Sequence, residues 1–329
     1  MNVILPSFQI WDIPDPEELK VAQFLERIGR TCYKSEDKIT DESAIRFVNM
    51  IKKHEHYAVL EHYLFTFAVD EEVYDHINNL DDETHRYMWV SSADLDGFKV
   101  YLLTTSAAVI NRICNENKDV VVVKALGSAL KSIAPCLAVY NGEVDPETVP
   151  QALSREGIPM LPLDIRIQHD FISTKIICDR GVSHEIVRHR PASYAQESTR
   201  YCNYSNGKYD GITVIKPFYL KEGTPACNAW YTAMKISEAS YNAMINAGCT
   251  PQEARAVLPN SLKTEINVTA RIPEWRNIFE LRTSKAAHPQ IREVMYPLFK
   301  ELYKRYPEYF GDQYHIIEEG IKDGFISES

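Results

Sequence analysis

One stretch, Arg188-His189-Arg190-Pro191-Ala192-Ser193-Tyr194-Ala195-Gln196-Glu197-Ser198-Thr199-Arg200, constrains this chain more than any other. Pro191 biases Arg190 out of the helical region, so a helix expected over Val182 to His189 has to stop there. The stop gathers three guanidinium groups, an imidazole and several hydroxyl and amide groups around one carboxylate, in a chain of formal charge −10. Cations at a helix C-terminus are favoured by the macrodipole with no ligand present. Arginine forks flanked by serine, threonine and glutamine donors also match phosphate or carboxylate oxygens. Two readings therefore stand side by side: a solvated basic loop, or an anion site in an acidic protein.

The rest of the composition narrows the classes. A chain of 329 residues with 45% hydrophobic content can bury a large core, as one elaborated domain or two. A pI near 5.5 with interspersed charges argues against non-specific wrapping of nucleic acid, which needs a dominant basic surface. The seven cysteines are scattered without a C-x-x-C pair, which fits reduced thiols rather than a disulfide framework or zinc knuckle. The start lacks a basic region followed by an apolar core, and no run of about 18 apolar residues occurs. A cytoplasmic protein without membrane or nucleic-acid partners is the expectation.

Along the chain, Pro16 to Thr31 and Asp41 to Lys53 read as helices, the second with Ala44, Phe47, Val48 and Ile51 on one apolar face. His54 to Phe67 is a histidine-rich turn running into an alternating, aromatic strand. Its histidine spacing matches no metal-ligand pattern, and no metal site is expected. Between Asp70 and Leu163, Tyr87 to Val90 and Phe98 to Leu103 suggest a hairpin turned at Asp96-Gly97, and Ala107 to Cys114 a helix. Val120 to Val123 is open between strand and buried helix, and the proline-bearing stretch from Asn141 to Pro162 reads as loop. This region carries no chemical constellation and is expected to be an insertion or peripheral subdomain.

Thr174 to Cys178 reads as a strand leading into the arginine stretch, followed by a loop that includes Asn203 and Asn206. His184-Glu185 comes near H-E-x-x-H, but Arg188 replaces the second histidine, so the zinc protease pattern fails. The C-terminal part reads as helices. One has Trp230, Ala233, Met234, Tyr241, Met244 and Ile245 on one face and a stop at Gly248. The next opens with Thr250, Pro251 and Glu253 as a capping signature and carries Arg255. In the third, Arg282 continues the apolar face of Trp275, Ile278 and Phe279, so its guanidinium requires a carboxylate, a bound anion or a snorkelled stem. A last helix spans Pro289 to Tyr306, interrupted by Pro297.

Arg188-His189-Arg190, with Ser198 and Arg200 beyond it, resembles the signature of the flavin-dependent thymidylate synthases, the ThyX family. The stretch from His56 to Phe67, the run Glu253 to Asn260 and the pair Leu281-Arg282 resemble further segments of that family in the same order. The resemblance does not cover Asp70 to Leu163. It implies an α/β (α+β) fold with a central sheet and long helices, a single catalytic domain over 1–329 and an insertion at about 70–163. The implied reaction is reductive methylation of dUMP to dTMP, with methylenetetrahydrofolate as carbon donor and FAD, reduced by NADPH, as hydride source. The resemblance also implies that Arg282 contacts the uracil and favours its N3-ionised form. The dUMP set would be Glu185, Arg188, Gln196, Glu197, Ser198, Thr199, Arg200, Arg255 and Arg282. The FAD set would be His56, Glu61, Arg188, His189, Arg190, Gln196, Arg271 and Asn277, in a homotetramer with sites between subunits.

Several positions depart from the commoner pattern of the family. Glu185 stands where glutamine is frequent and Gln196 where glutamate is, while Cys32 and Ala58 replace hydroxyls and Arg271 and Pro273 replace an asparagine and an arginine. The rivals are weaker on motif grounds. Pro135-Cys136-Leu137 lacks the histidine of a cysteine-dependent thymidylate synthase, and no two glycines stand two apart, so the dinucleotide fingerprint G-x-G-x-x-G is missing. A regulator that only senses a nucleotide phosphate is the alternative from another class.

Overall fold

A computed structural model describes residues 1–95, 97–144, 149–205, 207 and 209–327. The expected turn residue Asp96, the loop residue Asn206 and the loop stretch 145–148 lie outside the described residues. The fold is mixed helix and sheet, as the sequence suggests.

Ten strands are described: β1 (Asn2–Ile4), β2 (Ser7–Trp11), β3 (Leu64–Val69), β4 (Trp89–Leu95), β5 (Phe98–Ser106), β6 (Gln151–Ala152), β7 (Phe171–Asp179), β8 (Ser193–Gln196), β9 (Thr213–Ile215) and β10 (Lys263–Arg271). They form a central antiparallel sheet in the order β2-β7-β10-β8, a second antiparallel sheet β4-β5-β3-β6, and a parallel pair β1-β9.

The two faces of the central sheet differ in chemistry because strand side chains alternate. On one face Ile172, Ile176 and Cys178 of β7 and Ile266, Val268 and Ala270 of β10 form an apolar layer with the helices Ile272–Thr283 and Pro289–Arg305. Trp275 is fully buried there and its indole N–H donates to the Ile172 carbonyl at 3.0 Å. The opposite face presents Ser173, Lys175, Glu265, Asn267 and Thr269. Polar groups in such a place need partners. Asn267 accepts from the Trp11 indole at 2.8 Å and donates to the Ile28 carbonyl at 3.4 Å, tying the helix Glu18–Thr31 to the sheet. Thr269 meets Ser173 at 2.7 Å and the buried His62 ring at 2.8 Å. Glu265 is surrounded by Lys263, Lys175 and Lys34. Burial alone would raise its carboxyl, but the lysines, Lys263 foremost, hold it down at about 2.

The hairpin expected between residues 87 and 103 forms as β4 and β5, paired from Trp89↔Thr104 to Leu95↔Phe98, and Gly97 turns it with φ +84°. A left-handed conformation is open to glycine without steric cost, and the Gly97 N–H reaches the Asp94 carboxylate at 2.9 Å. The Val120 ambiguity resolves as helix, Val120–Ile133, capped by the Asp119 carboxylate on the N–H groups of Val121 and Val122. Residues 70–137 share one apolar cluster with the helices Glu18–Thr31 and Ser43–Lys53. A polar bolt adds to this: the buried His169, just before β7, meets Thr104 of β5 at 2.8 Å and Ser91 of β4 at 2.7 Å.

Three local expectations need correction. Ala233 is exposed, so it does not belong to the buried face of the Pro225–Asn246 helix that Met234 and Tyr241 define. The capping box at Thr250 and Glu253 forms, yet it starts only one turn, Pro251–Ala254, before a 3-10 turn at Arg255–Val257. Pro259, like any proline, disfavours helix at the residue before it, which limits extension. The helix before the arginine stretch is Arg180–Ile186, shorter than Val182 to His189 implied, and its N-cap is the Asp179 carboxylate on Val182 N–H at 2.7 Å.

Candidate functional site

Arg282 lies on the last turn of Ile272–Thr283, where the apolar spacing aimed it inward, and it has found partners. Its Nη1 donates to the Glu185 carboxylate at 3.1 Å, Nη2 to the Glu185 carbonyl at 3.0 Å and Nε to His189 Nε2 at 2.7 Å. The carboxylate option from the sequence is thus realised. Because Nε2 accepts that bond, His189 carries its proton, when neutral, on Nδ1. Burial is the main cause that lowers the His189 pKa to about 4, and Arg282 and Arg190 add to it. A neutral imidazole therefore sits between two guanidinium groups at neutral pH.

The remaining residues of the stretch divide sharply. Arg188, Arg190 and Arg200 are exposed. Arg190 folds back, with Nη1 on the carbonyls of Val187 and His189 at 2.5 and 2.8 Å and its guanidinium 5.1 Å from the Tyr194 ring centroid. Arg200 stacks on Tyr201 at 5.6 Å, and its backbone N–H donates to Ser198 Oγ at 3.3 Å. Gln196, Glu197 and Thr199 turn toward the protein. The Gln196 amide donates to Ser183 at 2.8 Å and Thr264 at 3.1 Å. Glu197 is buried and pairs with Lys263 at 2.9 Å, with Tyr204 also donating to it at 3.3 Å. Its carboxylate is consumed by the fold rather than presented to a ligand. Thr199 is buried as well.

Of the positions expected around a flavin, Glu61 and Arg271 line one cavity and the others do not. His56 meets the Tyr33 hydroxyl at 3.2 Å, and Tyr33 packs on Tyr201 at 5.4 Å, so His56 and Arg200 are linked through two aromatic rings. Glu61 faces a cavity of about 370 Å³, which Ser193 and Arg271 also line. Burial raises the Glu61 carboxyl above its ordinary range, although Arg112 and Arg190 oppose this. Arg271, at the end of β10, donates to the Gln168 carbonyl at 2.8 Å and pairs with Glu274 at 2.7 Å, while its guanidinium covers the Trp89 ring at 4.1 Å. Arg255 and Asn277 are exposed and share no side-chain hydrogen bond with the rest of the set among the described residues.

Sequence reasoning missed the far wall of this cavity. It is made by Tyr87, Trp89, Ser106, Val109, Arg112 and Asn115, all inside the region read as chemically silent. The signal was weak, since only the pairing of β3 with β5 brings these residues opposite Glu61. Among the described residues, no cluster of three or more histidine, cysteine, aspartate or glutamate side chains could hold a metal ion, and no helix is long and apolar enough to cross a membrane.

Residues 166–308 match the family model described as thymidylate synthase complementing protein. Flavin-dependent thymidylate synthases from Pyrococcus furiosus and Pyrococcus horikoshii are 35% and 36% identical over 128 residues, which is 39% of this chain and 52% of each relative. The same enzyme from Geobacter sulfurreducens is 32% identical over 133 residues, 40% of this chain and 56% of the relative. The chain thus spans about half the length of the curated relatives it matches. A solved structure of a UMP/dUMP methylase from Streptomyces cacaoi covers 42% of this chain and 70% of its own at 18% identity, with a TM-score of 0.37, too low to carry argument. The matched segment contains the arginine stretch, β10 and Arg282, and it begins well after His56 and Glu61. Over residues 166–308, which hold the Arg282, His189 and Glu185 cluster, this chain is similar to the thymidylate synthase complementing protein family.

Proposed function

We propose that the protein is a flavin-dependent thymidylate synthase that converts dUMP to dTMP, with methylenetetrahydrofolate as carbon donor and FAD reduced by NADPH. The observation that carries this reading is the inward Arg282 held against a neutral His189, inside the segment that matches the family. A guanidinium fixed before substrate arrives lowers the cost of charge developing on a pyrimidine ring, which is electrostatic preorganisation and needs no protein nucleophile. Arg188, Arg200 and Arg255 are exposed and free of carboxylate partners among the described residues, so they are the cations available to the nucleotide phosphate. Ser198 adds a neutral donor beside Arg200. Gln196, Glu197 and Thr199 act from behind this surface by fixing the backbone that presents it.

The residues fit a flavin. Glu61, Ser193 and Arg271 open onto a cavity with aromatic walls, which suits a planar heterocycle. When bound, the flavin supplies the hydride. His56, His189, Arg190 and Asn277 would add further flavin contacts, and a homotetramer with shared sites would complete what one chain leaves open. In this reading residues 1–329 form one catalytic domain in the cytoplasm and about 70–163 are an insertion into it.

The test is an absorption spectrum of the protein with added FAD, followed under anaerobic NADPH with and without dUMP. Flavin binding, with bleaching that responds to dUMP, is the expected result. Absence of flavin binding at any concentration overturns the reading and leaves a nucleotide-binding protein that has kept the anion site alone.

A further inference from the structure

The cavity beside Glu61 has two walls of different origin. Pro191 to Ser193 and Thr269 to Arg271 come from the family segment, and the opposite wall comes from β4 and the Ala107–Glu116 helix. On that helix Arg112 is half-buried, and its Nη2 is shut off from solvent and has no hydrogen-bond partner among the described residues. Its guanidinium carbon lies 6.0 Å from the Tyr87 ring centroid, and both residues line the cavity. Nη2 itself is closed off, but Arg112 lines the cavity, and a ligand oxygen there could accept a charge-assisted hydrogen bond from the rest of its guanidinium. Trp89 stands on the same wall with one ring face already covered by Arg271 at 4.1 Å, so its orientation is fixed before any ligand enters. Glu61 on the facing side can accept from a ring N–H.

We propose that Tyr87, Trp89 and the Ala107–Glu116 helix close this cavity into a binding site for a planar heteroaromatic molecule with an anionic arm, Arg112 taking the anion and Tyr87 and Trp89 lining the ring. The proposal rests on the flavin-dependent reading only for the choice of occupant, because FAD, NADP⁺ and a reduced folate all have this chemistry. It gives these residues a role inside the site rather than at the periphery.

Isothermal titration of the full chain with FAD, NADP⁺ and folinic acid, each alone, separates the sources. The variants are Arg112→Ala, Arg112→Lys and Ala108→Trp, the last placing bulk in the cavity without removing a charge, with thermal melting to check folding. The expected result is that one of the three molecules binds at least tenfold more weakly to Arg112→Ala and Ala108→Trp, with partial recovery in Arg112→Lys, while dUMP affinity stays within twofold. If all three bind the variants as they bind the wild type, or none binds the wild type, the proposal is overturned. Should FAD alone fail to bind while folinic acid or NADP⁺ shows the Arg112 dependence, the cavity site stands and the flavin reading falls.

Discussion

His169 offers a direct measure of how firmly residues 70–163 are fastened to the central sheet. Its ring is 1% exposed, bonded to Thr104 and Ser91, and burial first and Arg271 second lower its pKa to about 4. An unfolded histidine titrates near 6.5, so between about pH 4 and 6.5 the unfolded chain binds a proton that the folded chain refuses. Stability from this residue is therefore complete above about pH 6.5 and is lost as the pH falls. With those two values, the loss between pH 8 and pH 4.5 comes to about 2.5 kcal/mol. Other groups titrate in the same range, notably Glu293, whose carboxyl is raised to about 7 by burial and by Asp179 and so acts in the opposite direction. The measurement must accordingly be a difference. Urea unfolding of the wild type and of His169→Gln across pH 4.5 to 8 should show a stability gap that narrows by about 2.5 kcal/mol toward the acid end. A gap constant to within about 0.5 kcal/mol would mean that the ring is not held neutral by burial, and the fastening argument would fail with it.

Other outcomes follow from the same contacts. Glu185→Gln should lower stability by about 1 kcal/mol in urea unfolding, since the lost ion pair with Arg282 is largely but not wholly shielded; an unchanged stability would mean that the pair contributes nothing to folding. Trp275→Ala should cost about 3 to 5 kcal/mol in urea unfolding, because it empties a fully buried site and removes the bond to Ile172. Glu265→Gln should cost about 3 to 5 kcal/mol by leaving Lys263, Lys175 and Lys34 around a neutral amide, and adding Lys175→Met should recover part of it.

What could be read from the chain depended on whether the controlling interaction was local. The face of Ser43–Lys53 and the capping box at Thr250 are set by residues within a turn or two, and both were legible. Arg282 was legible in a subtler way: its place on an apolar face demanded a partner, although spacing alone could not say that the partner is Glu185, almost a hundred residues earlier. The length of the helix at Pro251 was misjudged because a good N-terminal cap says nothing about where a helix ends. The cavity wall was invisible for a different reason. Tyr87, Trp89 and Arg112 follow no motif, and only a strand pairing between distant segments turns them toward Glu61.

The division of charge in this molecule explains why its exposed cations point to a ligand. Lys34, Lys175 and Lys263 are matched against Glu265, Glu197 and Glu36 along the polar face of the central sheet. Those pairings satisfy charges that burial would otherwise penalise, and they belong to folding. The arginines at positions 188, 200 and 255 are needed by none of them. Arg188 sits just past the C-terminus of the Arg180–Ile186 helix, where the macrodipole favours a cation with no ligand present, whereas Arg200 and Arg255 lie outside that helix. The bland alternative, a solvated basic loop, accounts for arginines on a surface, but it does not account for an inward guanidinium against a neutral imidazole in the same cluster. A phosphate sensor needs only the outer cations, whereas a site that stabilises charge on a ring needs the inner one as well. The presence of both sets, one outside and one inside, favours chemistry over sensing.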